Sequence, residues 1–218
     1  MRVDVITLHA VQNYGSVLQA LATQKLLEKH GCEVKIINYI REDVRYKNIL
    51  QARSNGNIIK KIVLYPNVKK WKKVFKGFCN EYLNLTDRSY TTENDFKDYP
   101  LDADMFCTGS DQVWNSKWNQ GIISPLYLSF VPEDKFRFSL AASFGQDKLS
   151  QDEVKATKKY IEKYNCISVR ESSGKKIIEQ QYKYSYAEHI IDPTLMLDDD
   201  EWRKFANNKK TTEDYILI

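Results

Sequence analysis

The sequence has little to offer covalent or metal chemistry. Its four cysteines, Cys32, Cys79, Cys107 and Cys166, stand far apart and form no C-x-x-C pair. Neither a disulfide scaffold nor a zinc site is therefore expected. Cys107 and Cys166 fall in apolar runs, where a free thiol acts as a small hydrophobe. No cluster of His, Asp and Glu has ligand spacing, so no metal is expected. Glycine is scarce, at eight residues, and none of them builds G-x-G-x-x-G; a dinucleotide is not supported. No stretch approaches the roughly 20 apolar residues that cross a bilayer, which excludes an integral membrane segment. A formal net charge of +4 is too slight to argue for nucleic acid. There is no internal repeat and no low-complexity tract. The chain enters a strand at once, with no signal peptide ahead of it. The expected compartment is a reducing cytoplasm, including the inner face of its membrane.

What is present is a packed, alternating chain. Hydrophobic residues make up 42% and charged residues 28% of the 218, enough apolar surface for a core and too much for wholesale disorder. Val3 to Leu8 reads as a buried parallel strand, Ser16 to His30 as a helix with Gly31 at its C-cap, and Glu33 to Tyr39 as the next strand: a βαβ unit. Arg41 to Asn57 is polar and irregular. Ile58 to Leu85 is helical, dense in lysine and broken near Pro66. Its lysines read as a solvated face, or else as a surface for a polyanion or a membrane, a peripheral contact. Strands then return at Ala103 to Thr108, Phe136 to Ala142, Cys166 to Val169 and His189 to Ile191. Asn115 to Leu128 is a loop carrying Trp118. Helices are expected at Ser150 to Tyr164, opened by a Ser150/Glu153 capping box, at Ser172 to Gln181 and at Asp200 to Asn207. Tyr215 to Ile218 begins one more strand. The expected fold is α/β: a Rossmann-like open parallel sheet with helices on both faces. Residues 1–206 form the domain, with a Lys-rich helical insertion at about 41–100, and residues 207–218 a linker and the first strand of a second domain.

Five apolar runs end in clusters of Gly, Asn, Ser, Asp or Arg. In open α/β sheets ligands bind beyond the carboxyl ends of the strands, so these clusters mark a cleft. Asn13-Tyr14-Gly15-Ser16 forms the turn into the first helix, either facing a ligand or simply capping. Gly109-Ser110-Asp111-Gln112 follows a strand; Asp111 can serve as a general base or as a helix cap. Trp114 can stack on a sugar or anchor the core. Arg170, next to Glu171, can clamp a carboxylate or phosphate in two-pronged fashion, or pair with its neighbour. His9 ends the first strand and is a candidate for titration, against a plain loop histidine. Asp192, before Pro193, is expected to accept from backbone amides and fix a turn.

Taken in order, His9-Ala10-Val11-Gln12-Asn13-Tyr14-Gly15-Ser16-Val17-Leu18-Gln19-Ala20, Gly109-Ser110-Asp111-Gln112-Val113-Trp114-Asn115, Ala141-Ala142-Ser143-Phe144-Gly145, Ile167-Ser168-Val169-Arg170-Glu171 and Ile191-Asp192-Pro193-Thr194-Leu195-Met196-Leu197 resemble the polysaccharide pyruvyl transferase family. The resemblance spans residues 3 to 197 but only the N-terminal half of a typical member, whose fold resembles the two-domain glycosyltransferase-B type. It implies transfer of pyruvate from phosphoenolpyruvate, the donor substrate, to a sugar, glycan or lipid-linked saccharide, forming a cyclic ketal in cell-surface exopolysaccharide biosynthesis. No cofactor and no nucleic acid are implied. By the match of motifs, Arg170 is the candidate anion clamp and Asp111 the candidate base, with His9 the third candidate catalytic residue. Asn13, Tyr14, Gly15, Ser16, Gly109, Ser110, Gln112, Trp114, Ser143, Gly145 and Glu171 are candidates for substrate binding. Further donor-binding cations are expected from a C-terminal half, so the 218 residues alone are expected to fold yet transfer little. A sugar-nucleotide-dependent glycosyltransferase and a non-catalytic glycan-binding domain are the alternatives that share these features.

Overall fold

The computed structural model describes residues 1–44 and 46–206. The expected linker and the strand at Tyr215 to Ile218 lie outside the described residues, as does the last residue of the helix expected at Asp200 to Asn207. Seven strands make one parallel sheet: Arg2–Ile6 (β1), Glu33–Tyr39 (β2), Leu85–Tyr90 (β3), Met105–Thr108 (β4), Phe136–Ala142 (β5), Cys166–Val169 (β6) and Glu188–His189 (β7). Their spatial order is β3-β2-β1-β4-β5-β6-β7. β1 thus pairs with both β2 and β4, in register Val5 to Ile36 and Val5 to Cys107. The order reverses there, at the topological switch point of a doubly wound sheet.

The helices follow the crossovers: Tyr14–Lys29 (α1), Tyr46–Ser54 (α2), Ile58–Tyr82 (α3), Glu93–Asp98 (α4), Gln151–Ile161 (α5), Ser172–Lys176 (α6) and Asp199–Arg203 (α7). Successive strand residues point to opposite faces, and both faces are buried. Ile36 and Cys107 join α1 and α3 through Val17, Leu21, Phe75 and Cys79. Their neighbours Ile37 and Phe106 join the other layer, with Phe96 of α4 and Ile161 of α5. This double burial explains the apolar residues on both faces of β1 (Val3, Val5, Ile6), β2 (Val34, Ile36, Ile37) and β5 (Phe138, Leu140, Ala141).

Three departures from the sequence reading have physical causes. The Arg41 to Asn57 stretch is helical over α2, not irregular. α3 runs unbroken through Pro66; the carbonyl that Pro66 cannot bond is that of Ile62, on an exposed turn where water can satisfy it. β3 lies inside the region read as a helical insertion. It is an edge strand in which only Thr86 and Tyr90 are buried, so it carries no apolar run to see. Local caps held better. Asn13 Oδ1 accepts from the Ser16 amide at the start of α1 and Ser150 Oγ from Glu153 N at the start of α5. The capping box at α5 is only half made, since Glu153 Oε1 has no hydrogen-bond partner among the described residues. The helix expected at Ser172 to Gln181 starts as α6 and passes into a π-helical turn at Ile177–Gln181.

Asp4, in the middle of β1, breaks the pattern. It is 3% exposed, and its Oδ1 has no hydrogen-bond partner among the described residues. Burial pushes its carboxyl up to about 6, against the smaller pull of Arg2 and Lys35. A raised carboxyl pKa favours the neutral form in the fold, so stability falls as pH rises from the unfolded value through 6. With each pKa unit worth about 1.4 kcal/mol, ionised Asp4 costs roughly 3 kcal/mol above neutral pH. Asp4→Asn is expected to melt higher than the wild type at pH 8 and nearly level with it at pH 4. Thermal melts of the two proteins across that range check this; a constant offset would show that Asp4 does not titrate in the fold.

Candidate functional site

Three loops leave the carboxyl ends of β1, β4 and β6 and meet over the switch point, where they enclose a cleft of about 200 Å³. From the first loop come Leu8, Asn13, Gly15, Ser16 and Gln19; from the second, Asp111, Gln112 and Trp118; from the third region, Arg170, Asp192 and Thr194.

Asp111 is the most tightly built of these. The β4 strand runs into Gly109, whose φ of +114° is open to glycine and little else. The Gly109–Ser110 peptide is cis, and Asp111 follows with φ +76°, a left-handed conformation that aspartate tolerates better than most residues. Its backbone carbonyl accepts from Ser143 N at 3.0 Å and Val113 N at 2.7 Å. Its carboxylate accepts from the Gln112 amide at 2.8 Å and from Ser16 Oγ at 2.5 Å. A residue of the loop after β4 and an α1 residue 95 positions apart are thereby tied across the cleft.

Arg170 is organised by acids. Nη1 donates to Asp192 Oδ2 at 2.7 Å and Nε to Glu171 Oε1 at 3.3 Å. Nη2 makes no hydrogen bond among the described residues. Burial pulls the guanidinium down, but Asp192, Glu171 and Asp111 together outweigh it and hold it above its ordinary value. Asp192 is held below the usual carboxylate range: burial raises it, while bonds from Arg170 and from Thr194 N and Oγ1 more than compensate. Asp192 therefore does fix its turn, as expected, and in addition reaches into the cleft. With side-chain exposures of 25% and 17%, the pair lies between a surface and a buried bridge. Arg170→Ala, which strands Asp192, is expected to cost about 2 kcal/mol at pH 7. A depressed carboxyl pKa stabilises above its unfolded value and loses that effect as pH falls through the folded value. The melting gap between Arg170→Ala and wild type should therefore close in acid below the ordinary carboxylate range. An equal gap at pH 7 and in strong acid would show that the ion pair is not what the substitution removes.

The candidates from the sequence separate into three groups. Asn13, Gly15, Ser16, Asp111, Gln112 and Arg170 line the cleft. Ser110, Ser143 and Glu171 lie behind it as support. Ser143 is fully buried and donates to Glu171 Oε1 at 2.6 Å, and Ser110, also fully buried, donates to Ala141 O at 2.8 Å, with Asp192 Oδ2 at 3.3 Å. Gly109 and Gly145 shape the turns, Gly145 N donating to Ser143 Oγ.

The third group does not reach the cleft. Trp114 is a core anchor: it has no exposed surface, its indole N–H donates to Leu126 O at 3.2 Å, and it stacks on Tyr127. It has no face to offer a sugar. Tyr14 points away, 60% exposed, against Trp71 and Phe75 of α3. His9 is 2% exposed with Asn38 Oδ1 3.4 Å from its Nε2. Burial lowers its pKa against the weaker effect of Asn38 and Thr7, and it lines a neighbouring cavity beneath α3 instead.

The sequence reading missed Gln19, Trp118 and Thr194. Gln19 is 2% exposed, donates to Thr7 Oγ1 and Ser16 O at 2.8 Å each, and leaves Oε1 unpartnered among the described residues. A polar residue amid the apolar face of α1 was the signal available. Trp118, 49% exposed, presents an aromatic face at the cleft, with the Arg41 guanidinium 5.4 Å from its ring centroid. Among the described residues no group of three His, Cys, Asp or Glu could hold a metal ion.

The order of strands and the position of the cleft define a doubly wound, Rossmann-like α/β domain with a polar switch-point site. The family model for polysaccharide pyruvyl transferase matches residues 13–218, a span that takes in every cleft residue but Leu8. The chain belongs to the polysaccharide pyruvyl transferase family, and with it to the transferases. No curated protein and no solved structure matches it. Among the described residues no helix is long and apolar enough to cross a membrane.

Proposed function

We propose that the switch-point cleft receives a saccharide acceptor and, with phosphoenolpyruvate as donor, carries the transfer of pyruvate onto two of its hydroxyls as a cyclic ketal for a cell-surface polysaccharide. The observation that carries this reading is the Asp111 carboxylate in the cleft, held there by Ser16 Oγ. It suits a ligand that arrives as a hydrogen-bond donor, and Trp118 offers a ring face on which a sugar can stack.

The chemistry assigns roles. An acid must protonate the methylene carbon of the donor, so that positive charge develops at the adjacent carbon. A sugar hydroxyl then attacks that carbon and gives its proton to Asp111, forming the first C–O bond. Attack by the second hydroxyl forms the second C–O bond as the bond from that carbon to the phosphate oxygen breaks, and the departing phosphate takes the second hydroxyl's proton. Ser16, donating to Asp111 Oδ2, holds the carboxylate in place. Asp111 and Asp192 face a single guanidinium in the lining. That balance favours a hydroxyl-rich acceptor over a polyanionic donor, which needs cations beyond Arg170. Arg170 Nη2 is the donor-facing group, its orientation set by Asp192 and Glu171.

The test is to incubate the protein with phosphoenolpyruvate and saccharides bearing neighbouring hydroxyl pairs, following phosphate release and the acid-labile ketal by mass spectrometry. Saccharide-dependent phosphate release with a matching ketal is the expected result. Turnover of a sugar nucleotide with no use of phosphoenolpyruvate would replace this reading with a glycosyltransferase.

A further inference from the structure

The outer face of α3 takes no part in the cleft and has an unusual division along its length. Ile58, Ile59, Ile62 and Val63 are 67–73% exposed, and their i, i+3 and i+4 spacing puts them on one stripe. The core-facing side of the same helix is Val68, Phe75 and Cys79, all buried. Lys69 and Lys70 stand seven residues after Ile62 and Val63, two turns further along the outer stripe, and Lys73 and Lys76 continue it. Over residues 58–80 there are seven lysines and no Asp or Glu. The stripe is thus apolar for its first two turns and cationic for the next two, on a helix of 25 residues.

We propose that this face of α3 docks on an anionic lipid bilayer surface, the isoleucines entering the headgroup boundary and the lysines pairing with lipid phosphates. An in-plane helix binds in this way by adding apolar burial to electrostatic attraction. Charge chooses the occupant. A second copy of the same face would bring seven more lysines and no Asp or Glu from residues 58–80 to pair with them. Nucleic acid would use the lysines but leave four large aliphatic side chains without a role, where base-stacking rings or arginines are the usual companions. Anionic lipid uses both halves of the stripe. Tyr14, beside the cleft at the start of α1, packs in tilted ring contacts on Trp71 and Phe75 of α3, so docking would hold the cleft near the surface. The proposal stands independently of the reaction above.

The experiment is co-sedimentation of the protein with vesicles of phosphatidylcholine alone and of phosphatidylcholine containing phosphatidylglycerol, at low and at physiological salt. Binding is expected only to the anionic vesicles, weakening as salt rises. The double variant Ile59→Glu/Ile62→Glu is expected to weaken it about tenfold or more, and Lys69→Glu/Lys70→Glu/Lys73→Glu about a hundredfold. Both alter exposed side chains, so unchanged circular-dichroism melts confirm that they fold. The control Lys155→Glu/Lys159→Glu, on the exposed side of α5, should bind as the wild type does. Equal binding to both vesicle types, no binding, or equal loss in the control would each overturn the proposal. So would concentration-dependent dimerisation in sedimentation equilibrium that the isoleucine variant abolishes, which would give the face to a second copy.

Discussion

Asp111→Asn is expected to lower kcat for phosphoenolpyruvate-dependent ketal formation by about 10²- to 10⁴-fold, the span of a lost general base, while leaving KM for the saccharide within a few fold. The substitution preserves shape: the amide oxygen keeps the bond from Gln112 N, and the amide nitrogen can donate to Ser16 Oγ, whose hydroxyl also accepts. It also preserves the backbone, because asparagine tolerates the φ of +76° at least as well as aspartate. The melting temperature should therefore barely move, which separates chemistry from folding. Ser16→Ala removes a bond to the base without removing the base, so a loss of about tenfold is expected there. Steady-state kinetics on both variants, with phosphate release as the readout, decide the matter. If Asp111→Asn turns over like the wild type, the base lies elsewhere and Asp111 only organises the turn between β4 and the loop that follows.

Gly109→Ala is expected to lower stability by about 3 kcal/mol or more, among the larger effects available to one methyl group. Two causes combine. A Cβ at this position would lie 2.4 Å from the Leu140 carbonyl oxygen, in the backbone of β5, and 3.3 Å from Ala142 N. Neither is the flexible end of a side chain, so β4 and β5 would have to part. The φ of +114° is itself a conformation that costs an L-residue on the order of 1–3 kcal/mol. For a chain of this size the melting temperature should drop by roughly 10 °C. Gly77→Ala provides the opposite case. It sits on α3 with nothing within 4 Å of its Cβ, and a helical Gly→Ala exchange there should stabilise by up to about 1 kcal/mol. Differential scanning calorimetry of the two variants tests the pair. A Gly109→Ala protein that melts with the wild type would mean that the turn preceding Asp111 can relax, and that the cleft is not held by the close approach of β4 to β5.

Much of the scaffold was legible because its signals are local or one-dimensional. β2, β5 and β6 occupy the same residues as their apolar runs, since strands buried on both faces admit few polar side chains. Asn13 and Ser150 cap their helices as short-range chemistry dictates. β3 was invisible for the converse reason: at the edge of the sheet, Leu85–Tyr90 buries too little to leave an apolar signature. The turn clusters after β1, β4 and β6 were also legible as a group, because parallel strands put all their carboxyl ends on one edge, and Asn13, Asp111 and Arg170 do share that edge.

What the clusters could not convey is which member faces the cleft. Trp114 and Trp118 stand four residues apart in the same polar stretch; the fold buries the first between Tyr127 and Phe144 and leaves the second open at the rim. Ser143 looks like a surface serine and is a buried support for Glu171. Arg170 looks like an anion clamp and is already held by two acids, one of them 22 residues further along the chain. The amino-acid order alone determined the class of fold, the parallel sheet and the edge on which the site lies, because these follow from periodicity, burial and the right-handed crossover rule. Only the tertiary structure decided the membership of the cleft. The direction of a side chain at a strand end depends on twist, on left-handed turns at Gly109 and Asp111, and on hydrogen bonds between residues a hundred positions apart, none of which a linear pattern encodes.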